Sequence, residues 1–194
     1  MTDTGRPSQI GPDDDVVALL KAQHVTIREL FQEVESSTGD QQRDAWRRLV
    51  RMLAVHETAE EEVVHPTARR AFDSGEQVVA ERLEEERQAK EQLSRLDDMG
   101  PEDPAFMSAF LALRQAVLAH ADAEEREEFA QLQQHTDADK LSAMAKAVKA
   151  AEAMAPTRPH PGVESAAANI AVGPFAAIVD RTRDAVRKAM GQNG

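Results

Sequence analysis

Apolar residues between positions 13 and 135 recur in steps of three and four, the spacing that keeps side chains on one stripe of an α-helix. The first stripe is Val17, Leu20, His24, Ile27, Phe31, Val34, and the second is Leu49, Leu53, His56, Glu60, Val63. The third is Val79, Leu83, Glu86, Lys90, Leu93, Leu96, and the fourth is Phe106, Phe110, Leu113, Val117, His120, Glu124. No run alternates as a strand does. Breaks in the stripes coincide with turn chemistry. Asp13, Asp14 and Asp15 open the first helix, and Ser37-Thr38-Gly39-Asp40 ends it. Ser74-Gly75-Glu76-Gln77 has the form of a capping box. Gly100-Pro101 stops the third helix, and Asp103-Pro104 starts the fourth. The second helix is expected from about Gln41 to His65, with a kink or break at Pro66 before Phe72. The fold class expected is all-α: an up-down-up-down four-helix bundle with additional C-terminal helices.

Each stripe contains polar residues where apolar ones belong, and these share one depth. His24 lies 12 residues before Ser36, His56 lies 15 after Gln41, and His120 lies 16 after Pro104. Glu86 lies 11 residues after Gly75 and 13 before Met99. At a rise of about 1.5 Å per residue these depths agree within about a turn, so antiparallel helices bring them into one layer of the core. His56/Glu60 and His120/Glu124 are both His-x-x-x-Glu pairs, which lie one above the other on a helix face. Burying three carboxylates without counter-charge costs several kcal/mol each. A metal centre supplies that charge. The candidate metal ligands are therefore His24, His56, Glu60, Glu86, His120 and Glu124.

Composition narrows the chemistry. The net charge of −12 over 194 residues argues against nucleic acid, which needs a clustered basic surface. The absence of Cys removes disulfides, thiolate ligands and iron–sulfur clusters. No apolar run approaches the ~20 residues of a transmembrane segment, and residues 1–15 lack an apolar signal core. A cytoplasmic protein is expected. Six candidate ligands also exceed the closed four-coordinate shell of a structural zinc site.

The pattern His24, His56-x-x-x-Glu60, His120-x-x-x-Glu124 resembles the hemerythrin-like, or HHE cation-binding, family over about residues 13–135. The resemblance implies a non-haem di-iron site inside the bundle. It would hold two Fe ions, oxo- or hydroxo-bridged and carboxylate-bridged, with Glu60 and Glu124 as the bridges. One departure stands out. Relatives commonly place a histidine on the third helix where this chain has Glu86, and Lys90 stands where oxygen carriers have a second histidine. Hard carboxylates favour the ferric state. The expected function is thus reaction with peroxide, O2 or nitric oxide, with catalase-like turnover or a stress role, rather than reversible O2 transport. The alternative is an iron-binding sensor or store without turnover.

Three further residues are second-tier candidates. His65 is nine residues from His56, so an undistorted helix points it about 180° away, although Pro66 can distort that turn. Glu61 adjoins Glu60 and can support it, and Lys90 adjoins Glu86 by one turn. The flanking Glu57, Glu62, Glu125, Glu127 and Glu128 are expected mainly on the solvated face, and His135 and His160 in solvent.

The remaining chain divides by composition into a disordered leader (1–12), a flanking helix (136–154), a Pro-rich linker (155–167) and an amphipathic segment (168–194). That last segment carries Phe175, Ile178, Val179, Val186 and Met190 on one side, with Arg181, Arg183, Arg187 and Lys188 making it basic. Packing on the bundle or on a second subunit of a homodimer is its expected use, with docking to a membrane surface or another partner as the alternative.

Overall fold

The computed structural model describes residues 15–154 and 174–191. The expected leader and Pro-rich linker lie outside the described residues, as do 168–173 of the last segment.

The four stripes form four rods. Helix α1 is Val16–Ser36, and Asp15 caps it by accepting from the Val17 N–H at 2.8 Å. The second rod begins as α2, Gly39–Ala59, passes through a five-residue π-helical turn, Glu60–Val64, and continues as α3, His65–Ala71. Pro66 therefore neither breaks nor frays the rod. The π turn widens the backbone ahead of it, and Pro66 sits in the first turn of α3, where a missing N–H is tolerated. Helix α4 is Gly75–Met99. A Cβ at Gly75 would lie 2.3 Å from the Ala68 carbonyl oxygen, so only glycine lets α4 start this close to α3. Gly100, at φ 73°, ends α4. The fourth rod is α5, Phe106–Ala123, then a second π turn, Glu124–Glu128, then α6, Phe129–His135.

The bundle has two apolar cores with a polar layer between them. One end is built around Phe31, Trp46, Leu49, Leu93, Phe106 and Phe110. Its rings interlock, with Trp46 edge-on to Phe106 at 5.1 Å and Phe31 tilted on Phe110 at 5.4 Å. The other end gathers Val16, Leu20, Val63, Val79, Phe129 and Leu132. Burying a side chain of this size contributes about 1.5–3 kcal/mol, and it is these two cores that hold the polar layer in place.

Two more helices cover one flank. Helix α7, Ala138–Met154, packs on α1 and α2 through Leu141, Met144 and Val148. Helix α8, Pro174–Ala189, packs on α2 and α7. Ile178 meets Ala54 and Val55, and Val186 joins the second core. Met190 departs from the expected stripe: it is exposed, because it lies in the turn after α8 has ended. Among the described residues no helix is long and apolar enough to cross a membrane.

Candidate metal centre

The polar layer sits where the rods are least regular. In both π turns the helical bond skips a residue: His65 N–H donates to the Glu60 carbonyl, and Phe129 N–H to the Glu124 carbonyl. A π turn absorbs one extra residue, turning everything after it back by about 100° relative to a straight helix. His65, expected about 180° from His56, is thereby brought to roughly 80° and into the interior. Both turns begin at the glutamate of a His-x-x-x-Glu pair.

Six expected residues meet here. His24 and His56 bring their Nε2 atoms to 3.0 Å of each other. Glu124 lies 3.3 Å from His24 Nε2 and 3.3 Å from His120 Nε2, and Glu60 lies 3.4 Å from His56 Nε2. Two overlapping donor groups result: His24, His56, Glu60 and Glu124, and Glu60, Glu86, His120 and Glu124. Glu60 and Glu124 belong to both. A third group joins His65, Glu124 and Glu128.

The layer is dry. Glu60, Glu124 and Glu128 are fully buried, Glu86 is 1% exposed and His24 is 1% exposed. Neither carboxylate oxygen of Glu60 or Glu124 accepts a well-formed hydrogen bond. Protein interiors rarely leave such acceptors unsatisfied. A cation answers this arrangement. Donors about 2.1 Å from one ion at right angles sit about 3 Å apart, matching the spacings just given. The donor set, imidazole nitrogen with carboxylate oxygen, suits iron or another first-row divalent ion.

Each inward histidine is held from behind. His24 Nδ1 meets Glu125 at 2.9 Å, His56 Nδ1 meets Gln23 at 2.7 Å, and His120 Nδ1 meets Glu85 at 2.8 Å. An Nδ1–H donated to such an oxygen leaves Nε2 free as a lone-pair donor, the recurrent second layer of metal-bound histidine. Phe129 stacks on His24 at 5.7 Å and closes that side.

Charge is shared unequally among the buried groups. Burial and the neighbouring Glu124 and Glu86 push the Glu60 carboxyl well above its usual range. Burial acts on Glu124 in the same sense, but His120 and His24 outweigh it and hold Glu124 low. Burial alone would lower His65, yet its bonds to Glu128 and Glu86 carry it up to about 10. His120 likewise rises to about 10, as Glu124 and Glu85 outweigh burial. His56 falls well below its usual value through burial and the adjacent His24.

The second-tier residues also take defined places. Lys90 Nζ is 2.5 Å from Glu61, 3.2 Å from Glu86 and 3.6 Å from Glu57. It is an internal counter-ion behind Glu86, and Glu61 anchors it. His65 is 2% exposed and bridges two buried carboxylates, with Nε2 2.6 Å from Glu86 and Nδ1 2.9 Å from Glu128.

Two flanking glutamates were expected in solvent and are not there. Glu57 is 4% exposed beside Lys90, and burial pushes its carboxyl up to about 8. Glu128 is fully buried under His65. A signal for Glu128 exists: it continues the fourth stripe by one step of four beyond Glu124. Gln23, the support of His56, carried no signal because it precedes the stripe residue His24 and lies off the stripe. Arg82 is a further buried charge, ion-paired with Glu85 at 3.1 Å behind His120. His135 is exposed as expected, and His160 lies outside the described residues.

A helical bundle whose core layer is a His/Glu cluster is a cation-binding bundle. The chain belongs to the hemerythrin HHE cation-binding domain family, whose model matches residues 15–132. It is 26% identical over 168 residues to a hemerythrin-like protein of Schizosaccharomyces pombe, covering 85% of this chain and 83% of that one. It is 25% identical over 141 residues to a DNA nickase of Nostoc, covering 72% of this chain but only 40% of the nickase. The fold matches the crystal structure of a hemerythrin HHE cation-binding domain-containing protein from Mycobacterium kansasii with a TM-score of 0.63 and 21% identity. That match covers 72% of this chain and 85% of the other.

Proposed function

We propose that this domain holds two iron ions and reacts with peroxide, O2 or nitric oxide rather than carrying O2 reversibly. The observation that carries the reading is the sharing of Glu60 and Glu124 by two donor groups, with all four of their oxygens unsatisfied. His24 and His56 complete one position, and His120 and Glu86 the other. When bound, iron supplies the redox chemistry.

The chain's own residues set the conditions for that chemistry. Phe129, Val63 and the second apolar core exclude water from the His24/His56 side. The His120 side is more open, with His120 11% and Lys90 22% exposed, and is the route for a small molecule. Glu86 brings a third carboxylate to the layer, a hard anionic donor that favours the ferric state. Lys90 offsets part of that charge from the far side of Glu86.

Metal analysis with an absorption spectrum on protein from iron-supplemented cells tests the reading, two irons per chain being expected. One metal, or zinc alone, would remove it. Anaerobic ferrous protein mixed with O2 should oxidise irreversibly, and a stable, reversible oxygenated spectrum would sink the non-transport claim. Catalase assays of the iron-loaded protein against free iron then separate turnover from binding alone.

A sensory or storage role without turnover has one observation in its favour. Arg183 and Arg187 of α8 bind Glu62 at 2.8 and 3.2 Å, two residues from Glu60 in the same π turn. A change at the centre has a direct connection to α8. Catalase-silent protein whose α8 becomes protease-sensitive on metal removal would favour this role.

A further inference from the structure

We propose that His65 is a fourth histidine ligand of the centre, with Glu128 as its supporting carboxylate. The inference rests on the two-metal reading above and adds a seventh residue to its six donors.

The four interior histidines share one geometry. Each points Nε2 at the carboxylate layer and lays Nδ1 against a side-chain oxygen: Glu125 for His24, Gln23 for His56, Glu85 for His120, and Glu128 for His65. That arrangement is the usual setting of a metal-bound imidazole. His65 Nε2 lies 2.6 Å from Glu86 Oε1, hydrogen-bonded to a residue of the second donor group, and a His65 ring nitrogen also gathers with carboxylate oxygens of Glu124 and Glu128 within 4.8 Å of one another.

Its surroundings point the same way. His65 is 2% exposed, Glu128 is fully buried, and Glu128 Oε2 has no hydrogen-bond partner. A histidine placed only for packing would not need two buried carboxylates, each of which loses solvation worth several kcal/mol. The second apolar core offers such a packing alternative in plain view. Phe129 stands five residues after Glu124 as His65 stands five after Glu60, and it packs as an ordinary ring against His24. The position after the π turn therefore accepts an apolar side chain, and in the second rod it holds an imidazole aimed at Glu86.

Cobalt(II) substitution tests the assignment. A histidine bound through Nε2 to high-spin cobalt shows its Nδ1–H as a strongly shifted, exchangeable proton resonance. All four Nδ1 atoms here are hydrogen-bonded, which protects those protons from rapid exchange. The full chain loaded with cobalt should give four such resonances, and His65→Gln should give three, with folding checked by circular dichroism. Three resonances in both proteins would overturn the proposal while leaving the metal centre intact. No shifted exchangeable resonances in the wild type would overturn the centre itself. Glu128→Gln keeps the imidazole and should shift one resonance of the four. If His65→Gln does not fold, no movement in Glu128→Gln overturns the assignment.

Discussion

The second and fourth rods carry the same device and use it differently. Each presents a histidine, then a glutamate four residues on, then a five-residue π turn. Their glutamates are nevertheless pushed in opposite directions. Glu60 is pushed well above the usual carboxyl range, whereas His120 and His24 hold Glu124 low. Their histidines differ too. His56 is lowered, 3% exposed and backed by the neutral amide of Gln23. His120 is raised, more open and backed by the half-exposed carboxylate of Glu85. The lesson is that a motif sets where donor atoms lie, and the neighbours set what charge they bear.

Replacing the shared glutamates gives the largest effects and separates the rods. Glu60→Gln and Glu124→Gln should each lower metal affinity by more than the roughly 100-fold typical of outer-layer changes, read by isothermal titration with iron(II) under anaerobic conditions. Without metal the two should diverge. Burial and the neighbouring carboxylates push Glu60 toward its protonated form, which an amide resembles, so its amide should change stability by less than about 1 kcal/mol. Glu124 is charged and paired with imidazoles, so its amide should destabilise by about 3 kcal/mol. Urea melts showing equal losses would erase the distinction.

Second in size is the pH response of the metal-free protein. His65 and His120 rise from the usual 6.5 to about 10. The folded state therefore holds their protons more tightly than the unfolded chain. The resulting stability is fully present below about 6.5 and is lost as pH climbs through about 10. Glu57, raised from 4.5 to about 8, acts in the same direction over its own window. Calorimetric melting temperature should fall steadily from pH 6 to pH 10, and metal binding near pH 7 should release protons. A melting temperature that rises over that range would contradict this charge distribution.

The histidine supports should differ by rod. Gln23→Leu leaves the sealed His56 without its partner and should weaken metal binding about 10- to 100-fold. Glu85 is half exposed and water can replace it, so Glu85→Gln should cost less than about tenfold. Equal losses would mean that openness does not distinguish the two sides. The smallest effect belongs to the periphery: Arg183→Ala removes a partly exposed ion pair and should change stability by about 1 kcal/mol or less, measured by thermal melting.

Much of this centre was legible before any fold was known. The four stripes that carry His24, His56, Glu60, Glu86, His120 and Glu124 are local properties. A helix repeats every 3.6 residues, and antiparallel rods of similar length bring equal depths together. All six residues fall in the two overlapping donor groups, five of them buried and His120 partly exposed. The flank was less legible. That α8 would lie on α2 and α7, with Arg183 against Glu62, depended on surfaces that exist only after the bundle has formed.

Sequence alone therefore determined the four helical stripes and the depth of the polar layer, because each follows from spacing along one chain, whereas the Ser74 capping box does not form and the fourth helix starts at Phe106 rather than at Pro104. Tertiary structure decided which side of the second rod His65 faces, that Glu57 and Glu128 are buried, and that Gln23 backs His56. The physical reason lies in the π turns. Residue counting assumes about 100° per residue, and the wide turns at Glu60–Val64 and Glu124–Glu128 break that count at the centre itself.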